Sequence, residues 1–168
     1  MDHGVSILCS STLREENAKT MTEAEKKLSI ELVINLCHAV RCLLKGREVK
    51  EVVDNTLLEL FRVTLEAYRK ESDAVLALLD VYQVLVKDAD YVKTVTSTGV
   101  LTRFFALYKE YIHFWMIETC LFKIFRRMSE ADKDVAERVV NTGVIEDASL
   151  FIQGYARRAA LIKQAMKC

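Results

Sequence analysis

The chain reads as an all-α protein assembled from a repeated three-helix unit. Three observations lead there. Of its 168 residues none is proline and only five are glycine, so helix breakers are nearly absent; one proline inside a helix would cost about 3 kcal/mol. Along three long stretches, apolar residues recur at spacings of three and four, the period of a helix face. The phrase "TGVL" at Thr98–Leu101 returns as "TGVI" at Thr142–Ile145, 44 positions later.

Taken in order, residues 1–21 fit least well. Gly4 and Val5 suit the turn of a partial preceding unit with "STLREENAKT" as a polar insertion, or the segment is a leader; both stay open. Residues 22–168 form the repeat domain. Thr22 with Glu25 three residues on is a capping box. Leu28, Leu32, Leu36, Ala39 and Leu43 then follow at spacings of three and four, as one apolar helix face should, and Gly46 suits a left-handed cap. A second long helix is expected from Ser72 to about Lys87, apolar nearly all round and therefore the most buried. A third is expected from about Tyr111 to Met128, with Ser129 as the next N-cap.

Before each later long helix stand a short and a medium helical segment: "REVKEVVD" with "TLLELFRVTLEAYRK", and "DADYVKTV" with "GVLTRFFALYKE". "EADKDVAERVV" with "GVIEDASLFIQGY" repeats the pattern. Val52, Val95 and Val139 precede the turn between them, Thr56, Gly99 and Gly143 occupy it, and Leu58, Leu101 and Ile145 follow it. Glycine relieves the backbone at a sharp turn, and the aliphatic residue after it is expected to fill the core between units. Repeats of roughly 40–47 residues made of two or three helices are the period of HEAT and armadillo arrays.

In "STGVL" at 97–101, "NTGVI" at 141–145 and "INLC" at Ile34–Cys37 the chain resembles the armadillo-repeat family. The resemblance covers nearly all of residues 22–168. It implies a right-handed α-superhelix of about three armadillo-like three-helix repeats, with Gln164 and Lys167 in a solvated closing helix. Such proteins hold a peptide on the concave wall formed by their third helices. They use a tryptophan and an asparagine four positions apart, whose amide pairs with the peptide backbone. Stepping by 42 residues, Asn35 aligns with Ala77 and Thr119, and the tryptophan position reads Glu31, Asp73 and Trp115. The ladder is therefore broken, since alanine can neither donate nor accept, which argues against the basic peptides read by nuclear-import adaptors.

Composition narrows the function. With 51% hydrophobic and 29% charged residues the chain is neither disordered nor a membrane protein, and no apolar run approaches the roughly 18 residues of a spanning helix. An acidic N-terminus with a short apolar stretch does not make a signal peptide. Five cysteines, an odd number set mostly in apolar stretches, suit a reduced compartment. The expected location is intracellular and cytoplasmic, with cytoskeleton and nucleus left open. Lys and Arg total 24 against 24 Asp and Glu, which disfavours phosphate-driven nucleic-acid binding. His38 and Cys42 at i, i+4 form a zinc half-site, but Cys9 and His113 are remote in spacing, and a structural histidine is the better reading. No P-loop, dinucleotide fingerprint, HExxH, CxxC or GxSxG occurs. The chain is expected to be no enzyme and to need no cofactor or metal.

What remains is a protein–protein adaptor binding a partner protein or peptide, acidic in character, on the third-helix surface. Its expected contacts are Asn35, His38, Asp80, Gln83, Trp115, Thr119, Lys123 and Arg126. For Trp115, exposure and core packing both stay open. The rival reading is a compact regulatory bundle, apoptosis-type or G-protein-regulator-type, taking a partner helix in one groove.

Overall fold

Each short helix begins on an aspartate or a glutamate, each medium helix begins after a tight turn, and each long helix follows within a few residues. The computed structural model describes residues 22–150 and 152–154. Cys9, Cys168, the Gly4–Val5 turn and the closing-helix residues Gln164 and Lys167 lie outside the described residues. Described residues form α1 (Glu23–Leu43), α2 (Val49–Val52), α3 (Asn55–Ala67), α4 (Ser72–Leu85), α5 (Ala89–Ser97), α6 (Val100–Glu110), α7 (Trp115–Ala131) and α8 (Lys133–Asn141). A further helical stretch begins at residue 144, and no described residue is in a strand. The order short, medium, long occurs twice in full and begins a third time.

The sequence echo is also an echo of geometry. Gly99 and Gly143 both adopt left-handed backbone, at φ 76° and 78°. One position before each, Thr98 and Thr142 donate their hydroxyls to the carbonyls of Val95 and Val139 at 2.7 and 2.9 Å. Asp88 and Asp132, again 44 apart, accept from the backbone N–H two residues on, at 3.0 and 2.9 Å. The capping box of α1 is formed in both directions, with Thr22 N–H on Glu25 and Glu25 N–H on the Thr22 hydroxyl. Gly46 takes φ 76° just past the end of α1.

The first unit solves its turn differently. Thr56 is not in the turn but inside α3; Asp54 is the N-cap, its carboxylate accepting from Leu57 N–H at 2.8 Å. The residue buried before that turn is Val53, at 2% exposure, instead of half-buried Val52. An aspartate cap needs no positive φ, so this turn dispenses with glycine.

α4 is the centre of the molecule. Ala74, Val75, Leu78, Leu79, Val81, Tyr82 and Leu85 are all buried. α1 packs on one side of it and α7 on the other, so the three long helices lie in sequence as neighbours. Through the core runs an aromatic chain: Phe61 of α3 meets Tyr82 edge-on at 6.4 Å, and Tyr82 meets Phe104 of α6 at 5.0 Å. Edge-to-face geometry of this kind adds to the burial of the rings. Two tyrosine hydroxyls tie successive units together. Tyr91 on α5 donates to the Val53 carbonyl at 2.7 Å, and Tyr111 donates to the Arg69 carbonyl at 2.8 Å.

Several sequence expectations are corrected. On α1 it is Ser29, Cys37, Val40 and Leu44 that are buried, whereas Leu28, Leu32 and Leu43 stand 68%, 48% and 50% exposed. Two apolar faces compete on this helix, and α4 takes the second. α7 starts at Trp115, four residues later than expected, because His113 adopts φ 79° and breaks the helix. Ser129 lies within α7, and Asp132 caps the next helix instead. Val100 and Leu101 fill the core after the second turn, but after the third only Val144 does, and Ile145 is 52% exposed. No helix among the described residues is long and apolar enough to cross a membrane.

Candidate interaction surface

Away from the core the long helices carry polar side chains together with apolar ones, the Leu28, Leu32 and Leu43 row of α1 among them. Between the buried positions of α4 stand Asp73, Asp80, Gln83 and, just past its end, Lys87, beside half-buried Leu76, Ala77 and Val84; on α7 stand Trp115, Thr119, Lys123 and Arg126, beside exposed Met116 and half-buried Cys120 and Phe122. All of these are exposed or half-buried. Asn35 and His38 on α1 are exposed as well. Every residue expected on the third-helix surface therefore lies at the surface. Trp115 is 56% exposed, which decides between exposure and core.

Polar contacts join the three helices. Arg41 of α1 places Nη1 2.7 Å from Asp80 Oδ2 on α4, and Gln83 donates to the other Asp80 oxygen at 3.3 Å. The Cys120 thiol of α7 has its pKa raised, chiefly by burial and further by the charge of Asp80, with Gln83 opposing. The charge of Asp80 is thus compensated by Arg41 of the neighbouring helix. On α7, Arg126 lies 3.6 Å from Glu130, and Lys123 makes no ion pair among the described residues. His38 Nε2 sits 3.7 Å from Cys42 Sγ, but no group of three or more metal-ligating side chains is assembled among the described residues. Of the other thiols, Cys37 is buried and burial pushes its pKa up to about 12.

Arg41, with Cys42 as its alternative, fits the outward stripe of α1 by spacing, but its bond to Asp80 and the place of Cys120 are not expected from the sequence. Arg41 pairs with a residue 39 positions away, a distance at which no local pattern signals a partner. Trp115 has company too: Ile112, Phe114 and Met116 are 49%, 40% and 42% exposed, making an apolar knuckle at the corner between α6 and α7. Left-handed His113 lies within this knuckle, its N–H donated to Glu118 Oε1 at 3.0 Å. Glu118 itself is buried, and its second oxygen has no partner among the described groups. The corner is thus held by one buried carboxylate. His113→Gly, which removes the left-handed penalty at the cost of chain entropy, is expected to change stability by no more than about 1 kcal/mol. His113→Val should cost about 1–2 kcal/mol because a β-branched side chain resists this backbone. Thermal denaturation of the two variants checks the contrast.

Comparisons of the chain with family models, curated proteins and solved structures found no match.

Proposed function

We propose that the protein is a non-enzymatic interaction scaffold, an armadillo-like superhelical array that receives a partner protein or peptide on its third-helix wall. The observation that carries this reading is the packing of α1 and α7 against α4, with Asn35, His38, Lys123, Arg126 and Trp115 exposed and Asp80, Gln83 and Thr119 half-buried on these helices. A stacked array needs such a surface to act on anything, and aromatic residues with arginine dominate interface energetics. Equal numbers of basic and acidic residues favour a protein partner over nucleic acid. The proposed setting is the cytoplasm. The rival reading, a bundle that takes one partner helix in a single groove, has the exposed Leu28, Leu32 and Leu43 row of α1 in its favour.

The test uses a partner recovered from native lysate and calorimetry. Trp115→Ala should weaken binding by about 2 kcal/mol or more while leaving the melting temperature nearly unchanged, because the indole is largely exposed in the free protein. Lys123→Glu with Arg126→Glu should slow association and steepen its salt dependence less than wild type shows, as rim charges do. Full affinity in both variants with an intact fold would place the partner elsewhere.

A further inference from the structure

A groove of about 580 Å³ opens where the C-terminal ends of α1 and α4 meet the α1–α2 turn. Its lining includes Arg41, Lys45, Arg47 and Lys87 with His38, against two acidic residues, Glu48 and Asp88. Both acids are engaged: Glu48 pairs with Lys50 at 2.8 Å, and Asp88 caps α5. Arg41 is spent on Asp80. Lys45, Arg47 and Lys87 are exposed and make no ion pair among the described residues. In a chain of zero formal charge, three cations without an ion pair, set against the single uncompensated carboxylate of Asp88, leave a local positive excess around one concavity.

We infer that this groove binds an acidic peptide segment, its carboxylates held by Lys45, Arg47 and Lys87. The inference rests on the scaffold reading and gives it a ligand class, because His38, Arg41 and Lys87 belong both to the groove and to the third-helix wall. A segment crossing the wall from Trp115 would lay its acidic end here. The groove volume accommodates a few side chains, more than a single small anion needs, and Val84 and Val49 supply an apolar floor. Concave sites with an apolar lining and a few charged groups hold a ligand in one orientation.

The experiment titrates the full chain against four probes by fluorescence anisotropy or calorimetry: a labelled decaglutamate peptide, a decalysine peptide, a ten-nucleotide single-stranded RNA and inorganic phosphate. The glutamate peptide should bind, with affinity falling steeply as salt rises. Lys45→Glu with Arg47→Glu and Lys87→Glu should lower that affinity by about tenfold or more, since each exposed charge contributes modestly. Lys45→Gln with Arg47→Gln and Lys87→Gln removes the charge without reversing it, and should lie between the two. Circular dichroism confirms that the variants fold. No binding of the glutamate peptide, or equal affinity in the reversed variant, overturns the inference. So does tighter binding of the RNA, or displacement of the peptide by equimolar phosphate. Trp115→Ala with the recovered partner separates the two claims: loss of partner binding there, with the groove reversals silent, removes the groove and keeps the wall. The converse keeps the acidic groove and removes Trp115 from the proposed contact.

Discussion

Tyr82→Ala should cost about 3–5 kcal/mol, the range for deleting a buried aromatic ring, and leave the chain marginal at physiological temperature against a typical total of about 5–15 kcal/mol. The ring is fully buried and is the middle member of the Phe61–Tyr82–Phe104 chain, so its loss empties space at the junction of α3, α4 and α6 at once. Tyr82→Phe should behave in the opposite way. The hydroxyl is buried without a hydrogen-bond partner among the described groups, and burial pushes its pKa well above the usual range. Removing an unsatisfied polar atom while keeping the ring is neutral or stabilising, by about 1 kcal/mol or more. Chemical denaturation of both variants measures the difference; equal losses would mean that the hydroxyl, and not the ring packing, carries the effect.

The second large effect concerns the paired turns. Gly99→Val with Gly143→Val should cost about 2–4 kcal/mol in total, about 1–2 at each site, because a residue with a side chain is strained in the left-handed region. A Cβ at either position would meet nothing within 4 Å, so the loss is one of backbone and not of crowding. The sites are 44 residues apart, and distant substitutions add. Asparagine, which tolerates this conformation, should recover a good part of the loss at each site. If valine were tolerated at both turns, the shared geometry would have no energetic role.

The same glycines explain what could be read in advance. A left-handed turn demands a particular residue, so Gly99 and Gly143 announced their units, and the Val95–Thr98 and Val139–Thr142 contacts came with them. The first unit was harder to place because an aspartate cap does the same job and occurs at any helix start. Apolar content located α4 at the centre, since a helix that is apolar nearly all round has only one place to go. α1 shows the limit of that reasoning. Its leucine row and its Val33, Cys37, Val40 and Leu44 row both satisfy helical spacing, and only the position of α4 decides which is covered. The aromatic run from Tyr111 to Trp115 reads as continuous with α7; the break at His113 comes with a hydrogen bond that its N–H donates to the Glu118 carboxylate, five residues on. At the surface, the exposed stripes of α4 and α7 followed from register alone. The bond from Arg41 to Asp80 did not, because it joins two helices whose relative placement no local spacing records.

Tyr91 and Tyr111 impose a condition on how the helices come apart. Here each hydroxyl grips a backbone carbonyl of the preceding unit, 38 and 42 residues earlier in the chain, and both carbonyls lie at turns, where no helical N–H competes for them. Each such bond is worth about 1 kcal/mol, and it is lost only when two units separate. Loosening either tyrosine therefore also frees a turn 38 or 42 residues earlier in the chain.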